Sequence, residues 1–204
     1  MKLSDFLPWG QKKSAAPAAS KLARDRRQAP RRVTDGAGWV YWADEGGKAC
    51  RTRVSFLDVS EDSSGLGFLS GKTPPEGFVS WALPDGGKAL PCDVKHVDKT
   101  EKGNRVGANL EFEERFLEGP GGTQVQWVND ERQLVSAPAS VSNSGQGLLE
   151  LSVPANVPAR RMIYLEGPQY GCLAVCRGSR PDGNRFVLVA EAASDSFATA
   201  AMAA

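Results

Sequence analysis

The chain of 204 residues contains an internal repeat. The hexapeptide GLGFLS at 65–70 matches GLLELS at 147–152, and the same offset of 82 residues superimposes most apolar positions of the two halves. The tripeptide Gly-Asn-Arg also occurs twice, at 103–105 and at 183–185. Because a single β-sandwich would not need the same order of turns twice, the repeat predicts two copies of one domain.

Both halves consist of short segments rich in Val, Tyr, Trp and Phe, separated by Gly, Pro, Asp and Asn, which is typical of strands joined by turns. The first half has predicted strands at 38–43, 50–59, 65–69, 78–82, 90–97 and 105–111. The second half has them at 125–128, 136–141, 147–153, 161–165, 171–177 and 185–191, after the turn sequence GPGG. We therefore expect an all-β chain with two tandem six-stranded β-barrels.

The formal net charge of +1 is the sum of two oppositely charged parts. Residues 1–32 contain nine Lys or Arg and two Asp, a net charge of +7, which leaves −6 for 33–204. The segment also contains an Ala/Ser/Lys/Pro stretch, SAAPAASK, so we predict a flexible basic N-terminal arm at 1–25. A basic arm on an acidic body favours an anionic partner, although charge alone does not identify it.

Composition argues against several classes of function. The single histidine, His96, removes multi-histidine metal sites and leaves a Ser-His-Asp enzyme one candidate base, so we expect no enzyme, no metal and no cofactor. The cysteines Cys50, Cys92, Cys172 and Cys176 lack a C-x-x-C spacing and are expected to be reduced packing thiols. No apolar run resembles a transmembrane segment or a signal peptide, so we expect a cytoplasmic protein.

Two short motifs carry the candidate binding chemistry. Arg27 and Arg31 form an R-x-x-x-R before the first predicted strand, with Arg26 and Arg32 beside them. The planar guanidinium of arginine can form paired hydrogen bonds to acceptors, pair with phosphate and stack on an aromatic ring. An acid, a hydroxyl and glycines follow at the turn between the second and third predicted strands, where the side chains can accept and donate hydrogen bonds.

This turn fits a second motif, D-x-S-x-x-G, in two registers. The first register, which begins at Asp62, has the spacing of the motif. The second register begins at Asp58, and its glycine comes two residues later than the motif requires. The repeat nevertheless favours the second register, because Ser140 and Ser142 occupy the matching places in the second half. The residues concerned are Asp62 and Ser64 for the first register, Asp58 and Ser60 for the second, and Gly65 and Gly67 for both. Both registers stay candidates.

The two motifs, in this order, resemble the PilZ domain, a bacterial receptor module for cyclic di-GMP. The resemblance covers about 26–114 and implies a six-stranded barrel that grips cyclic di-GMP with the four arginines and the turn residues. The second half lacks both motifs and resembles a degenerate PilZ-like domain. The expected domains are an arm at 1–25, a PilZ domain at 26–118 and a PilZ-like barrel at 119–204.

The resemblance implies a cyclic di-GMP receptor that takes part in motility or biofilm control. Ligand binding would change the arrangement of the arm and the domains and so signal to an output protein. One alternative is a PilZ-like adaptor of motility, pilus or secretion machinery that binds no nucleotide. Another is a basic-arm protein that binds nucleic acid or acidic membranes; we do not expect DNA as the partner, and a homodimer is compatible with the sequence.

Overall fold

The computed structural model describes residues 30–145, 147–167 and 170–193, and within these ranges the chain forms fourteen β-strands and no helix. The first half contains β1 (Arg31–Val33), β2 (Ala37–Ala43), β3 (Ala49–Ser60), β4 (Gly65–Ser70), β5 (Val79–Pro84), β6 (Leu90–Thr100) and β7 (Gly103–Asn109). The second half contains β8 (Glu113–Phe116), β9 (Thr123–Val128), β10 (Gln133–Gly145), β11 (Leu148–Val153), β12 (Met162–Gly167), β13 (Tyr170–Asp182) and β14 (Arg185–Ala192). The predicted arm at 1–25 lies outside the described residues.

The predicted fold is confirmed, because the described chain forms two closed, antiparallel, six-stranded barrels. The first has the order β3-β2-β5-β6-β7-β4 and closes where β4 pairs with β3. The second has the order β10-β9-β12-β13-β14-β11 and closes where β11 pairs with β10. Each of the twelve predicted strands overlaps one of these twelve. Over the described ranges there is accordingly no helix that could cross a membrane.

The strands β1 and β8, which were not predicted, are attached to the two barrels differently. β1 runs antiparallel to the end of β3, with Arg31 opposite Ser60 and Val33 opposite Asp58. β8 runs parallel to the start of β10, with Glu113 opposite Gln133. The extra strand therefore lies near the β3–β4 turn in the first barrel and at the far end of the corresponding hairpin in the second.

Each barrel encloses its own apolar core, built from alternate residues of its strands. The largest side chains inside the first barrel include Phe56 and Phe68, whose ring centroids are 6.4 Å apart at an interplanar angle of 70°. The core of the second barrel is mainly aliphatic, with Leu149, Leu151 and Leu188 at its centre. Burying one such side chain stabilises the fold by about 1.5–3 kcal/mol.

Two β-bulges in the first barrel change which side chains face outward. One lies in β3 between Phe56 and Asp58, and the other lies in β6 between Val94 and His96. Because side chains alternate along a strand, one extra residue reverses the alternation beyond it. Phe56 and Val94 lie in the core, and the bulges place Asp58 and His96 on the outer surface instead of inside.

A third apolar cluster joins the two barrels. Its centre is the contact between Trp81 and Tyr164, whose ring centroids are 5.9 Å apart, and these are the third residues of β5 and β12. An ion pair between Arg132 and Asp93 lies beside this cluster and also connects the barrels. An apolar centre with charged groups around it is the usual anatomy of a specific interface.

Candidate functional site

The centre of the candidate site is the Asp58 carboxylate, which lies between two arginines. Arg31 Nη1 donates a hydrogen bond to Asp58 Oδ1, and Arg105 Nη2 donates to Asp58 Oδ2 at 3.3 Å. The side chain of Asp58 is 12% exposed, whereas those of Arg31 and Arg105 are 23% and 45% exposed. The carboxylate thus holds both guanidinium groups at the surface, and this three-residue cluster keeps a net positive charge.

The two glycines of the motif make room for this cluster. A Cβ atom at Gly67 would lie 2.7 Å from Asp58 Oδ1, and one at Gly65 would lie 2.8 Å from Arg31 Nη2. Both distances are too short for carbon, so either side chain would displace its charged neighbour. Glycine at these two positions leaves room for the side chains from β3 and β1 that lie across the backbone of β4.

Ser60 stabilises the backbone of the β3–β4 turn next to the arginine cluster. Its Oγ accepts a hydrogen bond from the backbone N–H of Gly65 at 2.6 Å, and the residue is 5% exposed. The backbone of Glu61 donates to the carbonyl of Pro30 at 2.9 Å, directly before β1. These bonds fix the start of β1 beside the β3–β4 turn and orient Arg31 toward Asp58.

Asp62 and Ser64 have a different place, at the tip of the turn. Asp62 Oδ1 accepts from the backbone N–H of Ser64 at 3.0 Å and from its hydroxyl at 2.7 Å. The backbone N–H of Ser64, followed by the hydroxyls of Ser60 and Ser64, holds the pKa of Asp62 below its ordinary value. Of the two registers, the structure brings Asp58 and Ser60 to the arginine cluster, while Asp62 and Ser64 close the turn.

The predicted arginines occupy different positions. Arg31 belongs to the cluster, but Arg32 points away from it, since neighbouring residues of a strand face opposite sides and Arg32 is paired with Val59. Val33, on the same side of β1 as Arg31, is 67% exposed. Arg26 and Arg27 lie outside the described residues.

Arg105 is a candidate site residue that sequence reasoning did not select. It belongs to the repeated tripeptide at 103–105, which served only to align the two halves. Its contact with Asp58 depends on the pairing of β4 with β7, which places Arg105 opposite Leu69, two residues beyond Gly67. No local pattern in the sequence predicts such a contact between distant strands.

The described residues contain no group of three or more His, Cys, Asp or Glu side chains that could hold a metal ion. All four cysteines are free thiols, and three of them are buried. Burial raises the pKa of Cys92 to about 12, a value at which the thiol stays protonated and unreactive.

Comparisons with known proteins give distant structural likeness only. No protein-family model matches the chain, and no curated protein matches it. Among solved structures, the chain is similar to the Bacillus subtilis inhibitor of motility MotI/DgrA, with 11% identity over 81% of this chain and 92% of that one and a TM-score of 0.29.

Two solved structures of MrkH show a similar degree of likeness. The apo state of the K. pneumonia protein has 12% identity over 76% of this chain and 77% of that one, with a TM-score of 0.26. A second MrkH structure, described as a c-di-GMP-dependent transcription regulatory factor, has 11% identity over 78% and 77%, with a TM-score of 0.26. Likeness at this level carries no argument about the function of this chain.

Proposed function

We propose that the first barrel binds cyclic di-GMP at the cluster of Arg31, Asp58 and Arg105, and that the chain acts as a receptor and not as an enzyme. The observation that supports this proposal is the cluster itself. It joins an arginine of the R-x-x-x-R motif to an acid of the turn motif, two elements that are 27 residues apart in sequence. This is the arrangement that the resemblance to PilZ domains implies.

The chemistry of the cluster suits a cyclic dinucleotide. Two phosphates and two guanine edges offer acceptors, and guanidinium groups bind such acceptors in pairs of parallel hydrogen bonds. The two arginines are held apart by one carboxylate, which can itself accept from the N–H groups of guanine. The cluster thus presents donors and an acceptor on one surface, as a guanine edge requires.

The residues directly before β1 supply further positive charge. Arg27 is four residues before Arg31, so an extended chain keeps their Cα atoms within about 14 Å, close to the size of the ligand. The backbone bond between Pro30 and Glu61 fixes Pro30, the residue before β1, at the edge of the site. We therefore propose that Arg26 and Arg27 close over the bound ligand.

The proposed response to ligand lies in the segment before β1, which would close over the ligand and change the surface offered to an output protein. The apolar contact between Trp81 and Tyr164 is buried like a domain core, with relative exposures of 0% and 5%. Separating the barrels would expose this surface to water, which argues for arm closure over movement of one barrel against the other.

Isothermal titration calorimetry of the full chain with cyclic di-GMP tests the proposal. We expect binding that weakens about 10-fold or more in Arg31→Ala, because a lost bidentate arginine contact costs about 1–3 kcal/mol. The matched control is Arg53→Ala, which removes an exposed arginine of β3 that pairs with Asp85. Absence of binding heat with the unaltered chain at tens of micromolar ligand would refute the proposal.

Two further measurements test specificity and the absence of catalysis. Cyclic di-AMP should bind more weakly, since adenine presents an amino donor where guanine has the O6 acceptor. Chromatography should recover cyclic di-GMP unchanged after long incubation with the protein. Steeply salt-dependent binding of unrelated RNA or acidic vesicles, with no preference for cyclic di-GMP, would instead support the basic-arm alternative.

A second candidate function is an adaptor that binds no nucleotide. It is favoured by the observation that Asp58 accepts from both arginines, so that the cluster is held together by its own hydrogen bonds. On this reading the cluster is only structural. Arg31→Ala would then lower the thermal stability of the chain, and calorimetry would give no heat with cyclic di-GMP.

A further inference from the structure

His96 has no role in the proposed site so far, yet the second bulge of the first barrel turns it outward. Val94, before the bulge, lies in the core, and Val97, after it, packs partly against the core. Without the extra residue the imidazole would point into the barrel. The side chain of His96 is instead 58% exposed. A bulge that re-aims one side chain is a common feature next to binding sites.

The strand register places His96 beside the arginine cluster. His96 is opposite Gly107 on β7, and Gly107 is opposite Gly67 on β4, which is in turn opposite Asp58 on β3. A Cβ atom at Gly107 would lie 2.6 Å from both ring nitrogens of His96, so the imidazole covers that glycine. In the same way the Asp58 carboxylate covers Gly67.

The two covered glycines are direct partners in an antiparallel pair, whose Cα atoms are about 4.5–5.5 Å apart. The side chains of Asp58 and His96 come from strands at opposite sides of this pair and lean toward each other across it. The imidazole and the carboxylate consequently lie next to each other on one surface. One solvent-exposed ring thus stands beside two guanidinium groups and their shared acid.

This juxtaposition adds an aromatic ring to the cluster. Arginines and a carboxylate can bond to the edge of a guanine, and a base is also held through its face, by stacking on an aromatic side chain. The large aromatic side chains Phe56, Phe68 and Trp81 of this barrel are buried, at 1%, 0% and 0% exposure. Among the described residues on this face of the barrel, the imidazole is the ring that a base can reach.

We propose that His96 is a ligand-contacting residue whose imidazole stacks on a purine of the bound nucleotide. This inference rests on the proposed function, because it concerns the same site. It extends the site from the turn between β3 and β4 across four strands to β6, and it assigns the second bulge a role in binding.

Proton NMR provides a direct test, since the chain contains one histidine and its ring signals need no further assignment. Stacking of a purine places the ring protons of His96 in the shielding region of the base. We expect both signals to move upfield as cyclic di-GMP is added and to stop moving at saturation. Signals that stay unmoved at saturating ligand would overturn the inference.

Variants separate stacking from charge. His96→Ala should weaken cyclic di-GMP binding about 10-fold, as expected for the loss of one stacked base, and His96→Phe should retain most of the affinity. The matched control is Lys99→Ala, which removes an exposed side chain further along β6. Unchanged affinity in His96→Ala, or equal losses in the Ala and Phe variants, would contradict stacking.

These outcomes are distinguishable from failure of the proposed function. If the unaltered chain gives no binding heat, both the receptor role and the contact by His96 are refuted. If the chain binds and Arg31→Ala weakens binding while His96→Ala does not, the receptor role stands and the contact by His96 is refuted. Because His96 is exposed, its replacement should leave the thermal unfolding curve nearly unchanged, which is checked on each variant.

Discussion

The two barrels have the same strand order but different outer surfaces, and the difference lies at a few matching positions. The first cross-strand pair after the bulge in the long strand is Asp58 with Gly67 in the first barrel and Asn143 with Glu150 in the second. Asp58 of the first pair accepts a hydrogen bond from Arg31 of β1. In the second pair Glu150 lies 3.6 Å from Arg180, within its own barrel.

The neighbouring strands differ in the same way. His96 and Gly107 of the first barrel correspond, by position after the bulge, to Gly178 and Val189 of the second. The ring and the glycine that it covers are thus replaced by a glycine and a valine. The comparison teaches that the barrel and its bulges are common scaffold, whereas recognition depends on which side chains the scaffold presents.

The largest expected effect concerns the contact between the barrels, which uses matching positions in both. Trp81→Ala removes a fully buried indole from this contact and should lower the free energy of unfolding by about 3–5 kcal/mol. Urea denaturation measures the change. Val33→Ala, at a 67% exposed position, is the control and should stay within about 0.5 kcal/mol. A loss below about 1 kcal/mol for Trp81→Ala would show that the barrels do not depend on this contact.

The next prediction gives the first barrel the residues of the second. Asp58→Asn with Gly67→Glu should weaken cyclic di-GMP binding about 100-fold, which corresponds to the loss of about two polar contacts. The carboxylate of residue 58 is lost, and the new glutamate side chain enters the space beside it. Calorimetry measures the affinity. The reciprocal variant, Asn143→Asp with Glu150→Gly, should leave the number of ligand molecules bound per chain unchanged. Unaltered affinity in the first variant would place the ligand elsewhere.

Much of the fold could be predicted from the sequence, because strand and turn signals are local. The repeat predicted two barrels, and the structure brings Arg31 of the first motif to Asp58, one of the candidate acids of the second. Two features were beyond local signals. β1 and β8 are short edge strands that exist through pairing with a distant strand, and the contact of Arg105 with Asp58 depends on strand order.

The bulges were the main reason why the sequence did not predict which residues of the two barrels occupy matching positions. A constant offset of 82 residues aligns Ser140 with Asp58, but the strand register gives that place to Asn143, since the two bulges are 85 residues apart and not 82. The sequence alignment of the turn was wrong by three residues for this reason. A bulge adds one residue without a composition signal, so sequence alone did not show that His96 and Asp58 face the same surface.

The third prediction uses pH to test the charged contact between the barrels. Burial raises the pKa of Asp93, but hydrogen bonds and charge from Arg132 and Lys95 outweigh it, so the pKa lies below its ordinary value. A lowered pKa in the folded state stabilises the fold above the unfolded value of about 3.9, and the stabilisation is lost as the pH falls through the folded value. The excess stability of the unaltered chain over Asp93→Asn should therefore shrink between about pH 5 and pH 2.

Urea denaturation across that pH range measures this difference. The matching position in the second barrel is Val175, which is apolar and buried, so an acid at this position is a property of the first barrel. A stability difference that is constant with pH would show that the carboxylate of Asp93 contributes no charge-dependent stability.

The smallest expected effect separates the two registers of the turn motif. Asp62 bonds to Ser64 within the turn and is not among the contacts of the arginine cluster, so Asp62→Ala should leave the affinity for cyclic di-GMP within about twofold, as for a surface change away from the site. Asp58→Ala should weaken it far more, because it releases both arginines. If Asp62→Ala weakens binding as much as Asp58→Ala, the ligand is held at the tip of the turn, and the difference between the two barrels would have to be sought in that turn instead of in the pair that follows the bulge.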